Sequence, residues 1–119
     1  MSKNILVIDD QQNLRHMLTV VLQKAGYTVS SAADGKEGLT SLETKNFDLI
    51  LCDVRMPKLD GLAFLEEVSV RGLDAAVIMM SAYGTVETAL EAIKEGAYDY
   101  ISKPFKKDEV LLTLKKTEE

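Results

Sequence analysis

The sequence predicts an α/β fold in which five parallel strands form a doubly wound sheet with helices on both faces. Short apolar segments alternate with segments whose apolar residues recur at helical spacing, and three of the five short segments are apolar almost throughout. Continuously apolar strands are typical of a parallel sheet that is covered on both faces. With 119 residues, of which 46% are hydrophobic, the chain is long enough for one such domain. We expect that domain to span residues 1–119.

Each element is predicted from its own part of the sequence. Gly26 and Gly96 are typical stops for the first and fourth helices. Asp34 can cap the second helix, with Glu37 three residues further on, and the fifth helix follows Pro104. In chain order, the predicted strands are residues 5–8, 27–29, 49–52, 76–80 and 98–101, and the third helix covers about residues 61–70.

The spacing of apolar residues also predicts which side of each helix faces the sheet. Residues three and four apart lie on one face of a helix, so a repeated apolar spacing marks the buried side. The predicted inward residues are Leu14, Met17, Leu18, Val21, Leu22 and Ala25 in the first helix, Leu39 and Leu42 in the second, Leu62, Leu65 and Val68 in the third, Val86, Ala89, Leu90 and Ile93 in the fourth, and Val110, Leu111 and Leu114 in the fifth.

Charge and composition exclude several classes of function. The formal net charge of -5 argues against direct nucleic-acid binding by this domain, because phosphate backbones require a basic face. The single cysteine, Cys52, cannot form an internal disulfide and is predicted to pack in the core. No apolar segment approaches the roughly 18 residues of a membrane span, and no signal-peptide pattern precedes the first strand. We therefore expect a cytoplasmic domain.

Polar residues follow four of the predicted strands at their carboxyl ends. Asp9 and Asp10 follow the first strand, Asp53 the third, Ser81 the fourth and Lys103 the fifth. Ligands of open parallel sheets bind beyond the carboxyl ends, where the strand order reverses. For the common order 2-1-3-4-5 that point lies between the first and third strands, so these side chains are expected to converge.

The predicted cluster suits a divalent metal and a phosphoryl group. Three carboxylates in one place repel each other unless a cation joins them, and Mg²⁺, or Mn²⁺, is the usual partner of such oxygen ligands. Lys103 adds a positive charge and Ser81 a hydroxyl donor. An aspartate carboxylate can itself be a nucleophile that forms an aspartyl phosphate, and Asp53, at the tip of the central strand, is the candidate.

The chain resembles the response-regulator receiver family of bacterial two-component signalling, whose fold is flavodoxin-like. The resemblance covers essentially the whole chain. Each matching piece is weak alone, but the set is specific because the pieces occur in order at the ends of the right strands. They are Ile8-Asp9-Asp10, Cys52-Asp53-Val54-Arg55-Met56-Pro57, Asp60-Gly61, Met80-Ser81-Ala82 and Tyr100-Ile101-Ser102-Lys103-Pro104-Phe105.

The resemblance implies a role for each site residue. Asp53 is then the phosphoacceptor, and Asp10 is a direct metal ligand while Asp9 acts largely through water. Ser81 and Lys103 hold phosphoryl oxygens.

Three further roles follow from the same resemblance. The backbone carbonyl of Arg55 completes the metal's protein ligands. Tyr100 is the switch aromatic, whose ring turns inward when Ser81 moves toward the phosphate. Arg55 and Tyr83 occupy the two positions that tune the lifetime of the phosphorylated state.

The resemblance also implies partners. A sensor histidine kinase supplies the phosphoryl group, and the stretch from Ser81 to Phe105 is similar to receivers of enhancer-binding (sigma-54-type) transcription activators. The chain is therefore expected to control an output domain or partner protein, and it fits the N-terminal module of a longer protein as well as a complete chain. Phosphorylation-dependent contact, such as homodimerisation, is expected at the surface of the fourth helix, fifth strand and fifth helix, with outward residues Ala92, Glu95, Tyr98 and Lys107.

Three alternatives remain open at this point. A phosphatase-like hydrolase with an aspartate nucleophile typically has a second acid two residues later, where this chain has Arg55. A flavin carrier of the same topology needs a phosphate loop after the first strand, and Asp10-Gln11-Gln12-Asn13 would repel a phosphate. A receiver that acts by protein contact without phosphorylation would not need the complete set of site residues.

Overall fold

The computed structural model describes residues 3–56, 58–82 and 86–118, without the side chain of Val86. Strands and helices alternate along this part of the chain. They are β1 (Asn4–Ile8), α1 (Gln12–Lys24), β2 (Thr28–Ala32), α2 (Gly35–Thr44), β3 (Leu49–Asp53), α3 (Gly61–Val70), β4 (Ala76–Ser81), α4 (Val86–Lys94), β5 (Asp99–Ser102) and α5 (Lys107–Glu118).

The strands form one parallel sheet in the order β2-β1-β3-β4-β5, which confirms the predicted fold class. In the register of the central pair, Ile8 lies opposite Cys52. The carboxyl ends of β1 and β3 therefore lie side by side, and the strand order reverses between them. Each central strand contributes alternate residues to two separate cores, so the sheet is buried on both faces.

The two faces of the sheet are covered by different helices. Phe64, Leu65 and Val68 of α3 and Ala92 of α4 pack on one face, and Leu39 and Leu42 of α2 pack against the same core. Leu18 and Leu22 of α1 and Val110 and Leu114 of α5 pack on the other. Cys52 is fully buried in the first core, as predicted.

All five strands differ from their predicted bounds, by one residue at an end except for the longer extension of β2. β2 continues to Ala32 because it pairs with β1 along its whole length. The prediction from apolar residues ended the strand too early because Ser30 and Ser31 are polar. A strand at the edge of a sheet has fewer neighbours, so it tolerates polar residues. β5 begins and ends one residue later than predicted, β1 begins one residue earlier, and β3 and β4 each end one residue later.

The predicted inward face was wrong for part of α1 and most of α4. In α1, Leu18 and Leu22 are buried, but Met17 is 37% exposed and Ala25 is exposed. In α4, Leu90 is 64% and Ile93 45% exposed, whereas Ala92 is fully buried. The prediction of Ala92 as an outward residue is therefore wrong too. Small alanine side chains let this short helix lie close to the sheet, so its large apolar residues face outward.

The helix ends follow local chemistry. The Asp34 carboxylate accepts a hydrogen bond from the backbone N–H of Glu37 (2.8 Å), which confirms the predicted cap of α2, and Asp60 caps α3 through the N–H of Ala63 (2.9 Å). Gly26, after α1, has a φ of 99°, which favours glycine. None of the helices in the described residues has the length and apolar character needed to cross a membrane.

Candidate functional site

Three carboxylates meet at the carboxyl edge of the sheet, beside the point where the strand order reverses. Asp9 and Asp10 follow β1, and Asp53 is the last residue of β3. Asp9 is fully buried and Asp53 is 7% exposed, whereas Asp10 is exposed. Each contributes a carboxylate oxygen to a cluster in which these atoms lie within 4.8 Å of one another. The structure thus brings together the carboxylates that the sequence predicted.

Lys103 reaches the same cluster from the end of β5. Its Nζ lies 2.7 Å from Oδ2 of Asp9 and 3.6 Å from Oδ2 of Asp53. The backbone N–H of Lys103 donates to the carbonyl of Ser81 (2.8 Å), and its peptide bond to Pro104 is cis. The ammonium group therefore lies between a buried carboxylate and the predicted phosphoacceptor.

The cluster is short of positive charge. The pKa of Asp53 is raised to about 6: burial is the largest cause and the carboxylates of Asp9 and Asp10 add to it, while Lys103 and a hydrogen bond from the backbone of Arg55 act in the opposite direction. Three carboxylates beside one ammonium group leave an excess of negative charge. Hard divalent cations prefer carboxylate oxygens, so the donor set fits such an ion.

The β1–α1 loop is held by contacts that the sequence analysis did not identify. The backbone N–H of Gln11 donates to Oδ1 of Asp9 (2.9 Å), and Nη1 of Arg15 donates to the backbone carbonyl of Asp9 (2.8 Å). The only sequence signal for the second contact is a basic residue at the beginning of α1, six positions after Asp9. That signal is too common in helices to identify the contact.

Gly61, the first residue of α3, lies directly against the backbone of Asp53. A Cβ atom at Gly61 would be 2.2 Å from the carbonyl oxygen of Asp53 and 2.8 Å from the Cα of Val54. The N–H of Gly61 also donates to the carbonyl of Val54 (2.8 Å). The absence of a side chain therefore lets α3 approach the end of β3. In the sequence, the pair Asp60-Gly61 was only one of the pieces that resemble the family, and its contact with Asp53 was not evident.

Ser81 and Tyr100 lie on the β4 side of the cluster. Ser81 is 2% exposed at the end of β4, and a cavity of about 260 Å³ is lined by Ser81, Arg55, Asp60 and Thr88 among others. The hydroxyl of Tyr100 is buried, and among the described residues it has no hydrogen-bond partner. Tyr83 and Pro57 lie outside the described residues.

Comparison with known proteins assigns this arrangement to a family. Residues 5–115 match the family described as the response regulator receiver domain. The chain belongs to this family. The prediction of a phosphoacceptor signalling domain is thereby confirmed, and the hydrolase alternative gains no support.

The receiver is similar to the corresponding part of several transcriptional regulators. It is 42% identical to the transcriptional regulatory protein ZraR of Escherichia coli O157:H7 over 113 residues, which are 95% of this chain and 26% of ZraR. It is 35% identical to the C4-dicarboxylate transport transcriptional regulatory protein DctD of Rhizobium meliloti (strain 1021), covering 98% of this chain and 25% of DctD. The predicted similarity to receivers of sigma-54-type activators is confirmed. The receiver spans about a quarter of the length of these relatives.

Solved structures show the same fold. Chemotaxis protein CheY4 of Vibrio cholerae superposes with a TM-score of 0.92 at 32% identity, covering 98% of both chains. NtrX of Brucella abortus superposes with a TM-score of 0.91 at 35% identity, covering 98% of this receiver and 26% of NtrX. The five-stranded fold thus occurs both as nearly a whole chain and as part of a longer one.

Proposed function

We propose that Asp53 accepts a phosphoryl group from a sensor histidine kinase and that the modified receiver controls transcription through an output domain. The observation that carries this proposal is the convergence of Asp9, Asp10 and Lys103 on Asp53 at the switch point of the sheet. A buried carboxylate beside an ammonium group and two further acids has little structural value by itself, because burying charge is costly. The arrangement makes sense as a site for an ion and an anion.

The chemistry follows from the positions of these side chains. A carboxylate oxygen of Asp53 attacks the phosphorus of a phosphohistidine, the P–N bond breaks, and its electron pair stays on the imidazole nitrogen. Lys103 then donates to a phosphoryl oxygen, and Ser81 supplies a hydroxyl donor from the end of β4. Since phosphoryl transfer depends mainly on positioning and charge, these donors suffice for an acceptor that turns over no separate substrate.

The divalent cation is proposed to be Mg²⁺ or Mn²⁺, held by Asp10 and Asp53, by the backbone carbonyl of Arg55 and, through water, by Asp9. When bound, such an ion neutralises charge on the phosphoryl oxygens. Both carboxylate oxygens of Asp9 already accept hydrogen bonds, from Gln11 and Lys103, which supports an indirect role for Asp9. Asp10 is exposed, and no hydrogen bond or ion pair to the described residues engages its carboxylate.

The donor is proposed to approach through a groove beside Lys103. A cavity of about 410 Å³ is lined by Leu14 and Met17 of α1 together with Lys103, Pro104 and Phe105 of the β5–α5 connection, among others. Its apolar walls adjoin the charged site, so a helical partner could cover the site while its histidine reaches Asp53. The outward position of Met17, which the helix pattern missed, belongs to this groove.

The output is proposed to lie on the other side of the site. Ser81 and Tyr100 are the switch pair, and the outer face beyond them is formed by α4, β5 and α5. Leu90 is 64% and Tyr98 57% exposed there, next to charged residues of both helices. A mixed surface of this kind suits reversible contact, including homodimerisation after phosphorylation.

Incubation with acetyl phosphate and Mg²⁺ tests the assignment of the acceptor. Intact-mass measurement is expected to show one added phosphoryl group that is lost on acid or base treatment and is absent from Asp53→Asn. Asp74→Asn, in an exposed loop, is the matched control and is expected to label normally. Undiminished labelling of Asp53→Asn would contradict the assignment.

A further inference from the structure

We propose that Arg15 is a positioning residue that fixes the direction of the Asp10 side chain and thereby sets the affinity for the divalent cation. This inference rests on the proposed function of the site, and it concerns a residue that lies outside the set of ligands and phosphate-binding groups. It begins from the way in which the β1–α1 loop is held.

Asp10 is the member of the cluster with the fewest contacts. It is exposed, and within the described ranges its carboxylate has no hydrogen bond or ion pair. Asp9, in contrast, is held at all four of its polar positions: its N–H donates to Ala32 (3.2 Å), its carboxylate accepts from Gln11 and Lys103, and its carbonyl accepts from Arg15. The direction of the Asp10 side chain must therefore be fixed by the backbone on either side of it.

The two hydrogen bonds of the loop act on the two peptide planes that flank Asp10. The carbonyl of Asp9 belongs to the plane before Asp10, and Nη1 of Arg15 donates to it at 2.8 Å. The N–H of Gln11 belongs to the plane after Asp10, and it donates to Oδ1 of Asp9 at 2.9 Å. Because each peptide unit is planar, fixing both planes fixes the direction of the Cα–Cβ bond between them. Arg15 thus controls one of the two planes.

The usual device for anchoring such a loop is missing. Gln11, the N-cap residue of α1, makes no side-chain cap, and the first turn of the helix has no acidic residue. Arg15 is half-buried, and its own backbone N–H donates to the carbonyl of Gln11 (3.0 Å). One residue therefore joins the helix to the loop through both its backbone and its side chain.

The direction in which the Mg²⁺ affinity changes when Arg15 is replaced distinguishes a positioning role from the effect of its charge and from a role in stability. A positive charge near a cation site repels the ion, so loss of the Arg15 charge alone would tighten Mg²⁺ binding. A role in fold stability alone would leave the Mg²⁺ affinity of the folded protein unchanged. Loss of positioning weakens the affinity, and groups that orient metal ligands typically contribute about 10- to 100-fold.

The test is Mg²⁺ titration of the folded protein by calorimetry, without a phosphodonor. Arg15→Met is expected to raise the Kd for Mg²⁺ by about tenfold. Arg71→Met is the matched control. Arg71 follows the last residue of α3, and the site lies at the first residue of that helix, so this variant loses an arginine side chain far from the site. The Mg²⁺ concentration for half-maximal labelling by acetyl phosphate should rise in parallel for Arg15→Met, with the labelling rate at saturating Mg²⁺ largely retained.

The outcomes distinguish this inference from the proposed function. If the wild-type protein binds Mg²⁺ and takes up the phosphoryl group while Arg15→Met binds Mg²⁺ equally or more tightly, the positioning role alone is overturned. If the wild type does not bind Mg²⁺, both proposals are overturned. Should Arg15→Met fail to fold, Arg15→Gln keeps a polar side chain that is two bonds too short to bring a donor to the carbonyl of Asp9, and it is judged by the same criterion.

Discussion

At the scale of single residues, the site combines groups that disfavour each other in the absence of a cation. Burial is the largest of the effects that raise the pKa of Asp53 from 3.8 to about 6, and Lys103 offsets only part of it. The negative charge on this residue therefore opposes folding near neutral pH. Such a cost is expected at a functional site, where the charge is kept for its chemistry.

The first prediction concerns the stability of the metal-free protein. Since the folded-state pKa is the higher one, protonated Asp53 stabilises the fold below about pH 4, and this contribution is lost as the pH rises through about 6. Asp53→Asn lacks this titration. Its free energy of unfolding, measured with urea in EDTA, should exceed the wild-type value by about 1–2 kcal/mol at pH 7.5 and by little at pH 4. If the free energy of unfolding of Asp53→Asn exceeds the wild-type value equally at pH 7.5 and pH 4, the titration of Asp53 is not the cause.

The second prediction concerns the lifetime of the aspartyl phosphate. Loss of the phosphoryl group requires a water molecule in line with the departing carboxylate oxygen, and orienting that water requires an acceptor. Arg55 is exposed and has no acceptor, and Tyr83, outside the described residues, occupies the other position that resemblance to the family associates with lifetime. We expect Tyr83→Glu, alone or with Arg55→Asn, to speed decay; each tenfold change corresponds to about 1.4 kcal/mol.

Decay of the labelled protein after removal of the donor, at constant Mg²⁺, measures this rate. Tyr98→Glu is the control for adding a carboxylate, because Tyr98 is an exposed tyrosine after α4, before β5 begins. Unchanged or slower decay in both site variants would show that Arg55 and Tyr83 do not limit access of water.

At the scale of elements, the connection between β3 and α3 is fixed by contacts with α2. Lys58 has a φ of 71°, a region that side chains with a Cβ rarely adopt, and its ammonium group lies 3.6 Å from Asp34. A Cβ at Gly35 would be 2.3 Å from the carbonyl oxygen of Leu59, so the beginning of α2 presses against this loop. The loop that follows Asp53 is thereby held in a strained conformation.

The third prediction measures this strain with two variants at Lys58. Both Lys58→Gly and Lys58→Ala remove the ion pair, but only glycine relieves the positive φ. The glycine variant should therefore be the more stable of the two by about 1 kcal/mol in urea unfolding. At a position with ordinary φ the order is reversed, because glycine costs more backbone entropy. If the alanine variant is as stable as the glycine variant, the loop is not strained at residue 58.

The sequence predicted the elements better than the faces of the helices. Strands β1, β3 and β4 are apolar on both sides, so their burial was evident, and Asp34 and Gly26 marked the ends of helices by local chemistry. The buried face of α4 could not be predicted in the same way. Ala92 is buried because its side chain is small, whereas the larger and more apolar Leu90 is exposed. The hydrophobic pattern records how apolar a side chain is, but the space between helix and sheet decides which one fits.

For the site, the sequence predicted the groups at strand ends but not the contacts between them. Asp9, Asp53 and Lys103 could be placed together because parallel strands end at one edge. The contact of Arg15 with the carbonyl of Asp9 and the close approach of Gly61 to Asp53 depend on the path of the backbone. No composition or spacing rule encodes that path.

At the scale of the whole molecule, exposed apolar residues lie on α4 and in the connection to β5, the strand that carries the proposed switch residue Tyr100. Leu90, Ile93 and Tyr98 are 64%, 45% and 57% exposed and lie on or directly after α4. Val70, at the end of α3, is 75% exposed and lies elsewhere on the surface. A substitution at Val70 is therefore a control for the same substitution at Leu90.

The fourth prediction is that phosphorylation promotes self-association through the α4 surface. Sedimentation with beryllofluoride and Mg²⁺ should show a larger species than sedimentation of the untreated receiver, because the mimic is expected to engage Ser81 and Lys103 as the proposed phosphoryl group does. Leu90→Glu should abolish the larger species, whereas Val70→Glu should retain it, and both variants should be labelled by acetyl phosphate. Equal loss of association in the two variants would place the interface elsewhere.

The close approach of Gly61 to Asp53 determines which substitutions the folded protein tolerates at this glycine. Gly72 has a φ of 66° and open space around it, so asparagine, which visits this left-handed region, is the least strained replacement there. At Gly61 the obstacle is the backbone of Asp53 itself, and no side chain is small enough to avoid it. In a saturation library selected for folded protein, asparagine should survive at position 72 while position 61 stays glycine.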